Sequence, residues 1–73
     1  MIKRSVKMEL ESILNDLQVN LENNYKDLAH DALKKLHHTL DAYLEDGTLK
    51  EKDYNKYKKI AEDYSVKMAD YHH

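Results

Sequence analysis

The sequence predicts an all-α protein, a small three-helix bundle, and three observations lead to that prediction. Its 73 residues include no proline and one glycine, whereas β-rich folds need such residues at their turns. Apolar residues recur at intervals of three and four in three segments, the spacing of one face of a helix. A short connection between the last two segments indicates an antiparallel helical hairpin. We therefore expect one helical domain over residues 1–73, with the first helix packed against this hairpin.

The first helix is predicted over about residues 3–22. Its apolar stripe consists of Ile2, Val6, Leu10, Ile13, Leu14, Leu17 and Leu21. Asn23-Asn24 follows, a pair that can end one helix or begin the next but does not forbid a continuous helix. On one straight helix the stripes before and after this pair would lie about 100° apart, so a turn is needed for both faces to meet. We expect a turn, and the alternative is a fused first and second helix that dimerises.

The second helix is predicted over about residues 25–45 and the third over about residues 49–70. The stripe of the second helix consists of Tyr25, Leu28, Ala29, Ala32, Leu33, Leu36, Leu40, Tyr43 and Leu44. Asp46-Gly47 should end this helix, with Gly47 in the left-handed conformation that favours glycine. Thr48 and Glu51 have the spacing of a capping box, in which each side chain accepts a hydrogen bond from a backbone amide of the next helix.

Tyrosines dominate the stripe of the third helix, which has the a/d spacing of a coiled coil and is flanked by Ile60. The stripe consists of Tyr54, Tyr57, Ala61, Tyr64, Met68 and Tyr71. One interpretation makes it the core-facing side of this helix, with each hydroxyl at the edge of the bundle. The other makes it a partner-binding surface, because Tyr and Met are enriched at protein interfaces. The residues predicted to bind are Tyr54, Tyr57, Tyr64, Met68 and Tyr71, assisted by the off-stripe Met8, Val19 and Val66.

Composition excludes several classes of protein. No cysteine is present, so there is no disulfide framework, thiolate metal site or cysteine nucleophile. The net charge of −2 is nearly neutral, and no apolar run is long enough to span a membrane. We expect a soluble, cytoplasmic protein. Eleven of its 12 basic residues are lysine and six residues are tyrosine, a composition typical of AT-rich bacterial or phage genes.

Histidines and serines offer little for catalysis or metal binding. His30, His37 and His38 fall on the second helix near Asp27 and Asp41, but His30 and His37 are about 10 Å apart along the axis and cannot share an ion. His72 and His73 form the end of the chain. The serines lie within helices, with no glycine-rich turn to expose a nucleophile. We therefore predict no enzyme activity, no metal site and no cofactor.

Lysines of the third helix support an alternative function. Lys52, Lys56 and Lys59 fall on one face, opposite the tyrosine stripe, and a basic face can contact nucleic-acid phosphates. Glu51 and Asp53 dilute this charge. The main prediction is a non-catalytic protein–protein interaction module, regulatory or structural, that binds a partner protein or itself. Self-association is expected because a domain this small gains little net stability from its own core. The alternative is a nucleic-acid-binding accessory protein.

Overall fold

The computed structural model describes residues 3–69, with side chains for residues 3–68. Within that range the chain forms three α-helices and no strand: α1 (Arg4–Glu22), α2 (Lys26–Glu45) and α3 (Glu51–Ala69). The predicted all-α three-helix bundle is confirmed. The bundle measures 40 × 18 × 15 Å, so its long dimension follows the helices. The ends of α1 and α2 lie within one residue of the predicted bounds, whereas α3 begins two residues later than predicted.

Asn24 makes the turn between α1 and α2. Its φ is 62°, the left-handed conformation that Asn tolerates better than most residues. The Asn24 amide donates to the Leu21 carbonyl at 3.1 Å and the Tyr25 amide to the Asn20 carbonyl at 2.8 Å. These two bonds form a Schellman motif, which satisfies the last carbonyls of α1. The prediction of a break at Asn23-Asn24 is confirmed, and the alternative of a fused helix is wrong.

Gly47 ends α2 as predicted, with a φ of 83°. Its amide donates to the Leu44 carbonyl at 3.3 Å, and the Leu49 amide donates to the Tyr43 carbonyl at 3.1 Å. The Thr48 amide donates to Asp46 Oδ1 at 2.8 Å. Hydrogen bonding from Thr48 also lowers the pKa of the Asp46 carboxyl.

The predicted capping box at the start of α3 is wrong. The helix begins at Glu51, and the Lys50 carbonyl accepts the first bond, from the Tyr54 amide at 2.8 Å. Thr48 therefore lies before the helix instead of at its N-cap. The connection is longer because Leu49 turns into the core, where 1% of its surface is exposed. Burial of a leucine side chain stabilises by roughly 1.5–3 kcal/mol, more than a cap of about 1 kcal/mol.

The core is a continuous cluster of apolar side chains from all three helices and the second turn. Its members are Val6, Leu10, Ile13, Leu17, Ala29, Leu33, Leu36, Leu40, Leu49, Tyr57, Ala61 and Met68. Among the described residues no polar or charged side chain is buried. Helix α2 packs closely against both α1 and α3, while α1 and α3 approach each other at fewer points.

Three residues assigned to the stripe of the second helix are exposed instead. Tyr25 is 56% exposed, Leu28 is 53% exposed and Leu44 is 37% exposed, so their predicted place on the core side is wrong. Tyr25 is the N-cap of α2 and lies at the end of the bundle. Leu28 is one residue away from the buried row that starts at Ala29, about 100° around the helix. The face of α2 that packs in the core is therefore narrower than the apolar stripe in its sequence.

Candidate functional site

The tyrosine stripe of α3 is divided between the core and its edge. Tyr57 and Met68 are buried, with 7% and 6% of their surface exposed, and belong to the core cluster. Tyr54 and Tyr64 are partly buried against that cluster. Tyr71 lies outside the described residues. Tyr57 and Met68 therefore lie on the core-facing side of α3, as the first of the two interpretations expects.

Tyr54 is already engaged within the chain. Its hydroxyl donates to Asp41 Oδ1 at 2.8 Å, which joins α3 to α2. This hydrogen bond is the main reason that the pKa of Tyr54 is raised. The Lys58 Nζ lies 5.7 Å from the centre of the Tyr54 ring, within cation–π distance. Both the hydroxyl and a ring face therefore have intramolecular partners. Among the described tyrosines of the stripe, Tyr64 is then the one best placed for an external contact.

A second tyrosine–carboxylate bond joins α2 to α1. The Tyr43 hydroxyl donates to Glu9 Oε1, and this bond is the largest cause of the raised pKa of Tyr43. Glu9 and Tyr43 are 34 positions apart in the sequence. A pattern within one helix does not reveal such a pair.

Three pairs of residues indicate the register of α1 against α3. Glu11 lies close enough to Tyr57 to raise its pKa, after the larger effect of burial. Gln18 and Tyr64 line one cavity, as do Leu21 and Lys67. Each of these pairs is 46 positions apart, so the two helices run parallel and Leu14 lies level with Ile60.

Four partly exposed apolar side chains line the space between α1 and α3. We call this space the α1–α3 groove, and its residues are Leu14, Leu21, Ile60 and Tyr64. At one end lies an open cavity of about 220 Å³, lined by Gln18, Leu21, Glu22, Tyr64 and Lys67. The Lys67 Nζ lies 5.4 Å from the centre of the Tyr64 ring. This end of the groove therefore combines the apolar side chains of Leu21 and Tyr64 with the charged Glu22 and Lys67.

The spacing places Leu14, Leu21 and Tyr64 in the stripes of their helices and Ile60 beside the stripe of α3, but it does not show that the four residues meet. Leu14 and Leu21 are seven residues apart, about two helical turns, and so lie in one row beside the buried row of α1. Ile60 was recognised as a flank of the α3 stripe. The seven-residue spacing of Leu14 and Leu21 was the signal in the sequence for the α1 side of the groove. That these two residues face Ile60 follows only from the register of α1 and α3.

Met8, Val19 and Val66 are exposed by 59%, 43% and 62%, in agreement with their off-stripe positions. They lie on the outward sides of α1 and α3, away from the buried rows. They therefore do not form one surface with Tyr57 and Met68.

The three lysines predicted to contact nucleic acid are exposed. Lys52, Lys56 and Lys59 lie on the side of α3 that faces away from the buried Tyr57 and Ala61. The Lys56 Nζ is 5.9 Å from the centre of the Tyr57 ring, so its charge lies near the edge of the core. The structure places these side chains on one face, as the spacing predicts.

Histidines of α2 line a shallow, open pocket. His30, His37 and His38 share it with Asp31, Leu33 and Lys34. Over residues 3–69, no group of three or more His, Cys, Asp or Glu side chains is arranged to hold a metal ion. No helix in the same range has the length and apolar character needed to cross a membrane.

Comparison of the chain with protein-family models, curated proteins and solved structures finds no match.

Proposed function

We propose that this chain is a non-catalytic, cytoplasmic protein–protein interaction module, regulatory or structural, of a bacterium or phage, and that it binds its partner in the α1–α3 groove. The observation that carries the proposal is the row of partly exposed apolar residues along this groove. Recognition of an amphipathic helix in an apolar groove between helices is a common mode of peptide and protein binding.

The dimensions of the groove suit a short apolar segment. Leu14 and Leu21 are about 10 Å apart along α1, and Ile60 and Tyr64 are about 6 Å apart along α3. Two turns of a partner helix cover that length. Tyr64 adds a rigid ring with a hydroxyl at its edge, the kind of side chain that often dominates interface energetics.

Affinity capture with single-residue variants tests the proposal. The purified chain is immobilised and compared with Ile60→Lys, which places a charge in the groove, and with Val66→Lys, which makes the same chemical change on the outward side of α3. A lysine stem can lie along apolar surface while its ammonium reaches water, so Ile60→Lys should remain folded. We expect the wild type and Val66→Lys to retain the same partner proteins and Ile60→Lys to lose them.

Circular dichroism and a thermal melt of each variant provide the control for folding. If Ile60→Lys is folded and retains the same proteins as the wild type, the groove is not the binding surface. If none of the three forms retains any protein, including a differently tagged copy of the chain, the proposed function is wrong.

A second candidate function is nucleic-acid binding through Lys52, Lys56 and Lys59, supported by their exposure on one side of α3. It predicts a mobility shift with nucleic acid at low salt that weakens as salt rises, because binding releases counterions from the phosphates. Reversal of all three charges should abolish the shift. Absence of a shift for the wild type at low salt would contradict this candidate.

A further inference from the structure

Charge is unevenly distributed along α1 and α3. In the first halves, residues 3–13 carry three basic and two acidic residues, and residues 50–60 carry five and two, which gives a combined charge of +4. In the second halves, residues 14–24 carry two acidic residues, and residues 61–69 carry two acidic and one basic, which gives −3. Because α1 and α3 run parallel, the side of the bundle that they form is basic at one end and acidic at the other.

Helix α2 has the opposite distribution. Residues 36–46, which lie at the basic end of the α1–α3 side, carry three acidic residues and no lysine or arginine. Residues 26–35 carry three lysines and two aspartates. The charge gradient is therefore a property of the α1–α3 side and not of the whole bundle.

We propose that the partner in the α1–α3 groove is a second copy of this chain, bound about a two-fold axis that crosses the groove perpendicular to the helices. The inference rests on the proposed function, because it fills the same groove. Such an axis places α1 against the partner's α1 and α3 against the partner's α3, each pair antiparallel. The basic end of each copy then faces the acidic end of the other, and the symmetry closes the assembly as a dimer.

Two independent residue pairs locate the axis at one level. Arg4 and Glu22 are 18 positions apart, about five full turns, and so lie in one row on α1 with their midpoint at residue 13. Lys56 and Asp63 are seven positions apart in one row on α3, with their midpoint between residues 59 and 60. Because the two helices are offset by 46 positions, residue 13 of α1 is level with residue 59 of α3. The two midpoints therefore agree within one residue.

The same axis places Glu11 opposite the neutral Asn15 of the second copy. Lys67, the basic residue in the acidic half of α3, lies level with Lys52 of the second copy, one residue from Asp53. The apolar pair Leu14 and Ile60 lies within one residue of the axis and meets its own symmetry mates. An apolar centre with complementary charges on both sides is the usual anatomy of a protein interface.

The available area is enough for a weak dimer. A 19-residue helix is about 28 Å long, and the bundle is 18 Å wide. The face therefore offers roughly 500 Å² per copy and about 1,000 Å² in total, the lower limit for a specific interface. We expect a dimer at high micromolar concentration that weakens as salt screens the charges.

Charge exchange between two variants tests the arrangement. One variant, Arg4→Glu/Lys56→Glu, makes the basic end acidic, and the other, Glu22→Lys/Asp63→Lys, makes the acidic end basic. Each variant alone faces like charges across the axis, so its dimer dissociation constant in sedimentation equilibrium should rise at least about tenfold. In an equimolar mixture all four charge contacts are attractive again, and heterodimers should form with nearly wild-type affinity.

Lys34→Glu/Lys35→Glu is the matched control, because it changes the net charge as much as the first variant but on α2. It should dimerise like the wild type. The inference is overturned if the wild type is monomeric at high micromolar concentration, if either groove variant dimerises normally, or if the mixture stays monomeric. In each of these cases the capture experiment with Ile60→Lys still decides whether the groove binds another protein.

Discussion

The two interfaces that α2 makes with its neighbours differ from the contact between α1 and α3. Each interface of α2 includes a tyrosine–carboxylate hydrogen bond, from Tyr43 to Glu9 on one side and from Tyr54 to Asp41 on the other. Helices α1 and α3 approach each other at fewer points, and four apolar side chains beside their contact stay partly exposed. Two sides of the bundle are closely packed, and the third is a looser contact, the α1–α3 groove.

Chain connectivity explains this difference. Short turns join α1 to α2 and α2 to α3, so each of these pairs is held antiparallel and close. Helices α1 and α3 are not consecutive, and their contact depends on the side chains that remain after both have packed on α2. In a small bundle the contact between non-consecutive helices is therefore the side most available to a partner.

The largest expected effect is a loss of unfolding free energy at the packed interfaces of α2, measured against the loss in the groove. Leu36 is fully buried, and Leu36→Ala should lower the free energy of unfolding by about 3–5 kcal/mol. Leu14→Ala should lower it by about 1–2 kcal/mol, because part of this side chain already contacts water and less burial is lost. Urea denaturation at low micromolar protein concentration, where association contributes little, measures both.

Equal losses of unfolding free energy for Leu36→Ala and Leu14→Ala would mean that the α1–α3 contact is as closely packed as the interfaces of α2. Met8→Ala is the control on α1. Its side chain is 59% exposed, and the change should alter stability by less than about 0.5 kcal/mol.

Helices and turns were predictable because their signals are local. The rows of apolar residues predicted all three helices, and Asn24 and Gly47 are the two residues with positive φ in the described part of the chain. The start of α3 was predicted two residues early because the Thr48–Glu51 spacing indicates a cap. Only the three-dimensional core shows that Leu49 is needed inside, which moves the helix start to Glu51.

Substitutions in the two turns should lower the free energy of unfolding by an intermediate amount. Apart from the two neighbouring residues of the chain, no described atom lies within 4 Å of the position of a Cβ at Gly47. Gly47→Ala therefore meets no clash, and its cost is that of the left-handed backbone, about 1–2 kcal/mol. Asn24→Ala should cost a similar or slightly smaller amount, and Asn24→Gly should be neutral or slightly stabilising. Thermal and urea unfolding of the three variants measure these changes.

These turn variants act on the connections of α2 and not on the groove. They should lower stability without changing the affinity of the groove for its partner once the protein is folded. A loss of binding by folded Gly47→Ala would contradict the view that the groove is independent of the α2–α3 turn.

The candidate site was predictable only in part. Tyr64 and the flanking Ile60 were recognised on α3, and Leu14 and Leu21 on α1, but their meeting depends on the register of two helices 46 positions apart. The tyrosine–carboxylate hydrogen bonds likewise depend on how two helices pack together, so no pattern within one helix predicts them. The spacing along α3 does not distinguish the buried Tyr57 from the partly exposed Tyr64, because both belong to one a/d row.

The smallest expected effect is a loss of stability at alkaline pH that originates at the interfaces of α2. Hydrogen bonds to Glu9 and Asp41 raise the pKa values of Tyr43 and Tyr54 above 10.0, because a hydroxyl must keep its proton to donate. The stabilisation is therefore fully present below pH 10, where tyrosines of the unfolded chain are also protonated. Above pH 10 the unfolded chain loses these protons first, so the folded state is progressively disfavoured.

Replacing both donors with phenylalanine tests this assignment. Tyr43→Phe/Tyr54→Phe should flatten the fall in unfolding free energy between about pH 9.5 and 11, a range around the unfolded tyrosine pKa. Part of the fall should remain, because burial also raises the pKa of Tyr57 and this residue is unchanged. The measurement is urea denaturation across that pH range. An unchanged slope in the double variant would show that these hydrogen bonds do not distinguish the closed interfaces of α2 from the groove, and the difference would then depend on apolar packing alone.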